Sequence, residues 1–136
     1  MQKVKFKDII ELKRGYDLPE HSRKDGIYPV FAANGICGYH SCFKSNGEGI
    51  ITGRSGTIGK VMYSTSPFWP LNTTLYVSDF KGNSRRFIYY LLKSINLYKF
   101  ATGAVVPTLN KNHLSDIYFH IPELSIQLRI ANNITN

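Results

Sequence analysis

Apolar and polar residues alternate over short stretches in the first eighty positions, a pattern typical of half-buried strands. The pattern predicts a short strand over residues 4–6, then a polar surface loop over 16–27. Further strands are predicted over residues 28–32, 38–43, 49–52, 60–63 and 73–77. Asp8 lies three residues before Glu11, the spacing of a capping box, so we also predict a helical turn over residues 8–13.

Glycines are unusually dense between these predicted strands. Glycine adopts positive φ without steric cost, and it also allows a second backbone to approach closely, so we expect tight turns or bulges at these positions. The predicted structural glycines are Gly35, Gly38, Gly53, Gly56, Gly59 and, in a later loop, Gly103.

The second half of the chain predicts one clear helix. Ser84 is suited to cap its N-terminus, because a serine hydroxyl can accept a hydrogen bond from the first helical turn. Apolar residues then recur with the i, i+3, i+4, i+7 spacing of a single helix face. They are Ile88, Leu91, Leu92 and Ile95.

A loop over residues 101–110, a strand over 116–121 and a second helix over 123–134 complete the pattern. Leu124, Leu128 and Ala131 would form the apolar side of that helix, which is too short to be stable without a packing partner. The predicted fold is therefore α+β: a compact, glycine-punctuated, mostly antiparallel or mixed sheet with one main amphipathic helix packed on it and the start of a C-terminal helix.

Composition narrows the class of protein. The 136 residues suit a single domain, and a hydrophobic fraction of 43% argues against disorder. No apolar run approaches the roughly 20 residues of a membrane helix, so we expect a cytoplasmic protein without membrane contact. Seventeen Lys+Arg against nine Asp+Glu give a net charge of +8, which favours a polyanionic partner, nucleic acid above all.

The segment from Gly53 to Lys60 looks at first like a phosphate-binding P-loop. Five residues instead of four separate the first glycine from the Gly-Lys pair, and Val61 replaces the required hydroxyl residue. The flanking residues also predict strands, whereas a P-loop leads into a helix. The segment is better explained as a hairpin turn that presents Arg54, Ser55 and Lys60 to an anion. An equal alternative is that the glycines serve only to form the turn and bind nothing.

Catalytic and metal-binding patterns are weak. Cys37 and Cys42 lack the spacing of a zinc site, and the scattered carboxylates form no pair of the kind that holds magnesium in a nuclease. We expect no metal, no cofactor and no catalysis by this chain. Two alternatives stay open from the residues: an adaptor that binds protein or RNA, and a small nuclease with an unrecognised metal site.

Five segments, in order along nearly the whole chain, form a distinctive set. They are YPVFAANGICGYH at 28–40, ITGRSGTIGKV at 51–61, FWPLNTTLYV at 68–77, TGAVVPTLN at 102–110 and IYFHIPELSIQLRI at 117–130. This set resembles the target recognition domain of type I restriction–modification specificity subunits. The last segment is similar to the Ile-Pro-x-Pro-x-x-x-x-Gln-x-x-Ile start of that family's connecting helix, with Glu123 where the family usually has its second proline.

The resemblance implies sequence-specific recognition of duplex DNA without catalysis. Subunits of that family carry two recognition domains joined by long helices in an antiparallel coiled coil, and each domain reads half of a split target. Methylation by modification subunits with S-adenosylmethionine, and cleavage by a restriction subunit with magnesium and ATP, would belong to the partners.

The resemblance also implies a division of the chain. Residues 1–122 would form the recognition domain, and 123–136 would begin the helix that contacts the modification and restriction subunits. Because the chain stops at Asn136, we expect a truncated gene, an exchangeable cassette or a fragment.

The DNA-reading hypothesis places loops from one sheet edge in a groove, with cations on the phosphates at the rim. Arg54 is suited to pair bidentately with guanine. Candidates for base or near-base contact are Arg14, Arg23, Asn34, Tyr39 and Arg54, with Ser55 on the same turn; candidates for phosphate contact are Lys13, Lys24, Lys60 and Lys111. A core position for Tyr39 and a simple turn role for Asn34 remain alternatives.

Overall fold

The computed structural model describes residues 1–103 and 105–135. Within them, the strands are Gln2–Lys5 (β1), Glu11–Arg14 (β2), Tyr28–Ala32 (β3), Gly35–His40 (β4), Gly49–Gly53 (β5), Val61–Ser64 (β6), Trp69–Pro70 (β7), Thr74–Asp79 (β8), Ala101–Thr102 (β9), Thr108–Leu109 (β10) and Tyr118–Ile121 (β11). The α-helices are Phe6–Ile9 (α1), Arg85–Ser94 (α2) and Leu124–Thr135 (α3). The predicted α+β fold is confirmed.

A four-stranded antiparallel sheet with the order β2-β8-β5-β6 forms the centre of the molecule. Because side chains alternate along each strand, the sheet has two apolar faces. One face carries Leu12, Ile50 and Leu75, and the other carries Ile51 and Tyr76.

The first face is covered mainly by α2. Ser84 caps this helix as predicted, since its Oγ accepts a hydrogen bond of 3.2 Å from the Phe87 backbone N–H. Ile88 and Leu92 are almost fully buried against the sheet, whereas Leu91 and Ile95 are only partly buried. The predicted amphipathic helix therefore provides one half of the core.

The second face is covered by a three-stranded sheet with the order β4-β3-β7, in which β3 pairs with β4 antiparallel and with β7 parallel. Phe31 and Phe68 pack edge to face with ring centres 5.7 Å apart, and they fill the space above Ile51, Met62 and Tyr76. The central sheet is thus buried on both sides.

The helix α3 is joined to the domain through a buried polar side chain. Gln127 Oε1 accepts from the Ser84 backbone N–H at 2.9 Å, and Gln127 Nε2 donates to Asn83 Oδ1 and Pro122 O, each at 2.9 Å. Gln127 and Ala131 are buried, whereas Leu124 and Leu128 are 47% and 48% exposed. Of the predicted apolar side, Ala131 therefore packs on the domain beside Gln127, and Leu124 and Leu128 remain about half exposed.

Three other local predictions need correction. The helical turn over 8–13 was wrong: α1 ends at Ile9, and residues 11–14 form β2, because pairing with β8 outweighs the local capping pattern. The strand expected at 38–43 is β4, which begins at Gly35 and ends at His40. The loop at 101–110 contains the short hairpin β9–β10.

Three of the predicted turn glycines lie within strands. Gly35 is the first residue of β4, Gly38 sits inside it, and Gly53 is the last residue of β5. Gly35 also has positive φ, as do Gly56, Gly59 and Gly103. Gly82, which also has positive φ, was missed.

None of the helices in the described part of the chain is both long and apolar enough to span a membrane.

Candidate nucleic-acid interface

Four strand termini of the central sheet lie at the same end of it. Since neighbouring strands are antiparallel, the last residues of β2 and β5 lie beside the first residues of β6 and β8. We call this the basic end, because the cations gathered at it are Arg14, Arg54, Lys60 and Lys111. All four belong to the predicted DNA-binding set.

The turn between β5 and β6 has a shape that only glycine permits at some positions. Gly56 and Gly59 have φ of +91° and +106°, a region that side chains disfavour. A Cβ added to Gly53 would lie 1.8 Å from the Thr57 carbonyl oxygen. The turn is closed by a hydrogen bond of 2.9 Å from Thr52 Oγ1 to Lys60 O. The glycine spacing in the sequence is therefore required by this turn.

Arg54 is oriented by one backbone carbonyl. Its Nε donates to Asn72 O at 2.8 Å, and within the described residues no hydrogen bond or ion pair occupies its two terminal amino groups. Arg14 and Arg54 line a shared depression of about 240 Å³ together with Thr108 and Lys111. Burial, and then the charge of Arg14, lowers the pKa of Arg54 from its usual value. An anion in this depression would relieve that repulsion.

Lys60 connects the β5–β6 turn to the β3–β4 turn. Its Nζ donates to Asn34 O at 2.8 Å, and a Cβ added to Gly35 would lie 3.6 Å from the same Nζ. Two segments that are 26 residues apart in sequence therefore meet, and the exposed Asn34 lies beside Lys60 as part of the same surface.

The hairpin β9–β10 completes the basic end. Leu109 N–H donates to Arg54 O at 2.7 Å, and Gly56 N–H donates to Pro107 O at 3.0 Å. Ser55 forms an isolated antiparallel bridge with Thr108. Just beyond the hairpin, Lys111 Nζ donates to Leu12 O at 3.1 Å. Ser55 and Lys111, two predicted candidates, are thus brought to the basic end by this hairpin.

The other candidates lie elsewhere. Lys24 is beside His40, whose Nδ1 accepts from the Lys24 backbone N–H at 3.0 Å, and Arg23 Nε donates to Leu18 O at 3.2 Å. Tyr39 pairs with Pro29, far along the β3–β4 hairpin from the Asn34 turn. It is 56% exposed, so it is not a core residue.

Lys13 precedes Arg14 on β2 and therefore points to the opposite face of the central sheet. Along with Arg23, Lys24 and Tyr39, it forms no part of the basic end. The predicted set of ten thus divides into a group of six that the structure brings together and four that lie apart.

No carboxylate of residues 1–103 and 105–135 forms an ion pair with a cation of the basic end. Across residues 1–103 and 105–135, the ion pairs join Asp116 to Lys5 and Lys7, and Glu48 to Arg86. The hydrogen-bond partners of Arg54, Lys60 and Lys111 are neutral carbonyl groups, which fix the side chains without cancelling their charge. The surface therefore keeps a positive potential that suits a polyanion.

Sequence reasoning missed the residues that position these cations. Asn72 and Thr108 belong to segments distant from Arg54, and their chemistry alone does not mark them. In the part of the chain that is described, no group of three or more His, Cys, Asp or Glu side chains is placed to hold a metal ion. Cys37 and Cys42 are exposed and unpaired by a disulfide.

The chain is similar to several known proteins. Residues 1–136 match the family of the type I restriction modification DNA specificity domain. The chain is 28% identical over 130 residues to the type I restriction enzyme EcoprrI specificity subunit of Escherichia coli, a match that covers 91% of this chain and 32% of that protein.

Solved structures share the fold. The S subunit of a type I restriction-modification system from M. genitalium aligns with a TM-score of 0.84 at 20% identity, over 98% of this chain and 38% of that one. The HsdS subunit from Thermoanaerobacter tengcongensis aligns with a TM-score of 0.73 at 14% identity, over 98% and 36%. The chain spans about a third of the length of these relatives. By the match along its whole length, the chain belongs to the type I restriction modification DNA specificity domain family.

Proposed function

We propose that this chain recognises a short sequence in duplex DNA, one half of a split target, through the basic end of its central sheet. The observation that carries the proposal is that Arg14, Arg54 and Lys111 line one depression, with Lys60 on the turn that carries Arg54, and that none of them has a carboxylate partner among the described residues. Membership of a DNA specificity family supports the choice of DNA over other polyanions.

Arg54 is the proposed base reader. Its Nε is held by Asn72 O, so the guanidinium is oriented before DNA binds, while its terminal amino groups can form the bidentate pair with guanine O6 and N7. Orientation in advance lowers the side-chain entropy lost on binding. Asn34 and Ser55, on the two adjoining turns, are the next candidates for base contact.

Lys60 and Lys111 are proposed phosphate contacts. Each ammonium group donates one hydrogen bond to a backbone carbonyl and keeps two further N–H donors. Contacts of this kind fix the register of the protein on the duplex but do not distinguish sequences. In this proposal Arg54 reads a base, and Lys60 and Lys111 bind backbone phosphates.

We assign no chemistry on DNA to this chain. In the proposed assembly, methylation with S-adenosylmethionine and cleavage with magnesium and ATP are supplied by modification and restriction subunits. The helix α3 is the proposed point of attachment, since Leu124, Ile126, Leu128 and Ile130 are all at least 37% exposed on it. The i, i+4 spacing places Leu124 and Leu128 on one side of the helix and Ile126 and Ile130 on another, and exposed apolar pairs of this kind favour packing against other helices.

Selection from a random duplex pool tests the proposal. Rounds of binding to the 136-residue chain should enrich a short common sequence. The affinity for that duplex should fall steeply with salt, with a log–log slope near −0.9 for each phosphate contact. Enrichment of no common sequence, or binding that is insensitive to salt, would contradict DNA recognition by this chain.

A further inference from the structure

Half-buried Tyr16 follows the end of β2 by two residues and lies on the opposite face of the central sheet from Arg14. The Tyr16 backbone N–H donates to Pro70 O at 2.8 Å, and its carbonyl accepts from Trp69 Nε1 at 3.2 Å. These two bonds hold the Tyr16 backbone beside β7. The ring lies on the side of the central sheet to which Lys13 and Tyr76 point, opposite to Arg14.

Two lysine ammonium groups converge on this ring. Lys44 Nζ lies 5.1 Å from the ring centre of Tyr16 and 5.0 Å from that of Trp69. Lys13 Nζ lies 5.5 Å from the ring centre of Tyr16. Cation–π attraction at these distances restrains both flexible side chains. We call Lys13, Tyr16 and Lys44 the Tyr16 cluster.

The hydroxyl of Tyr16 is oriented by a second tyrosine. Tyr76 is buried, and its hydroxyl oxygen lies 3.1 Å from that of Tyr16. Burial, and then the hydrogen bond with Tyr16, raises the pKa of Tyr76. The hydrogen bond with Tyr76, and then Lys13, lowers the pKa of Tyr16. The two hydroxyls share one hydrogen bond, in which either oxygen can be the donor.

The lysines of the Tyr16 cluster form no ion pair within the described residues. The Tyr16 hydroxyl and, to a smaller extent, the charge of Glu11 raise the pKa of Lys13. The Glu11 carboxylate itself accepts a hydrogen bond of 2.6 Å from Ser78 Oγ. Two ammonium groups and a tyrosine hydroxyl therefore lie together with no carboxylate bound to them among the described residues.

We propose that the Tyr16 cluster binds a backbone phosphate of the same duplex whose bases are read at the basic end. The proposal rests on the proposed function and adds a contact outside it. Lys13 and Arg14 are consecutive on β2 and point to opposite faces, so a DNA backbone that passes the edge of β2 can meet both. Because it touches only phosphate, the cluster positions the duplex and reads no base.

Fluorescence anisotropy with two duplexes tests this inference. One is the sequence enriched by the unsubstituted chain, and the other is a scrambled duplex of equal length. We expect Tyr16→Phe and Lys44→Gln each to weaken both duplexes by the same factor, roughly three- to tenfold. Lys44→Gln should also reduce the steepness of the log–log salt dependence by about 0.9.

Lys93→Gln is the matched control. Lys93 Nζ lies 5.0 Å from the ring centre of Tyr89 on α2, so it makes the same type of contact away from the Tyr16 cluster. It should bind both duplexes like the unsubstituted chain. Thermal unfolding shows whether each variant is folded. If Tyr16→Phe does not fold, the test rests on Lys44→Gln, because Lys44 is exposed.

Unchanged affinity in both cluster variants would overturn the inference, and so would a loss confined to the enriched duplex or an equal loss in Lys93→Gln. These results leave the proposed function standing, because the unsubstituted chain still selects its sequence. A chain that binds neither duplex at low salt would overturn the proposed function, and this inference with it.

Discussion

The two ends of the central sheet each carry a group of cationic side chains, but among the described residues only one of these ends pairs a cation with a carboxylate. At the basic end, Arg54 and Lys60 donate to neutral backbone carbonyls. At the opposite end, where β5 begins, Arg86 forms an ion pair of 3.8 Å with Glu48, and Arg85 donates to the Glu48 carbonyl. We call this the carboxylate end, since Glu11, Glu48 and Asp79 lie at its strand termini.

The difference shows how a fold can hold a cation rigidly and still leave its charge available. A carbonyl anchor fixes the geometry of a lysine or arginine, whereas a carboxylate anchor fixes it and cancels its charge as well. Net charge alone therefore does not locate a binding surface. The position of carboxylates beside the cations must be known as well.

A glycine is tightly packed at each end of β5. Substitution of either glycine should therefore lower the free energy of unfolding, and this is the largest effect that we expect. A Cβ on Gly49 would lie 2.1 Å from the Phe68 ring, and one on Gly53 would lie 1.8 Å from Thr57 O. We expect Gly49→Ala and Gly53→Ala each to lower the free energy of unfolding by about 1–3 kcal/mol in urea titrations. Gly38→Ala, with nothing within 4 Å of its Cβ, should change it by less than about 0.5 kcal/mol.

Removal of an arginine should lower the affinity for DNA at the basic end of the central sheet but not at the carboxylate end. Arg54→Ala should cost about 1–3 kcal/mol in affinity for the enriched duplex, because the bidentate pair is lost. Arg54→Lys keeps the charge but should lose most of the preference over a scrambled duplex. Arg86→Ala, at the carboxylate end, should bind as the unsubstituted chain does. Equal losses for Arg54→Ala on every duplex would reduce Arg54 to a phosphate contact.

The smallest expected effect is a pH dependence at the carboxylate end. Burial, and then the hydrogen bond to Glu48, raises the pKa of Tyr63 to about 12. An unfolded tyrosine ionises near pH 10, so the folded state favours neutral Tyr63. That stabilisation is complete below pH 10 and is lost as pH rises to about 12. Urea titrations over this range should show a shallower loss of stability for Tyr63→Phe than for the unsubstituted chain. Equal pH dependence of the two proteins would contradict this assignment.

Elements with a strong local pattern could be predicted from the sequence. The helix α2 has both a capping serine and a regular apolar stripe, and β3, β5, β6 and β8 begin and end within two residues of their predicted positions. The residues 11–14 could not be predicted, because they contain one buried apolar residue and become a strand only by pairing with β8, more than sixty positions away. The burial of Gln127 on α3 could not be predicted for the same reason, since its hydrogen bonds are to Ser84 and Asn83, which are distant in sequence.

The candidate site could be predicted as a chemical type but not as a surface. Glycine spacing and charge indicated the turn that carries Arg54 and Lys60, since both signals are local. Which other cations join that turn depends on contacts such as Lys60 to Asn34 and Leu109 to Arg54, which no periodicity encodes. Lys44 was missed for the same reason: only the packing of Tyr16 against Trp69 brings it beside Lys13.

Removal of three positive charges from either end tests the central claim most directly. One variant carries Arg14→Ala, Arg54→Ala and Lys60→Ala, and its counterpart with the same net charge carries Lys81→Ala, Arg85→Ala and Arg86→Ala. In salt titrations of duplex affinity, we expect the first to flatten the log–log slope by at least about 0.9, because Lys60 is a proposed phosphate contact, and the second to leave the slope unchanged. Equal flattening in the two variants, or flattening only in the second, would contradict a DNA interface at the basic end.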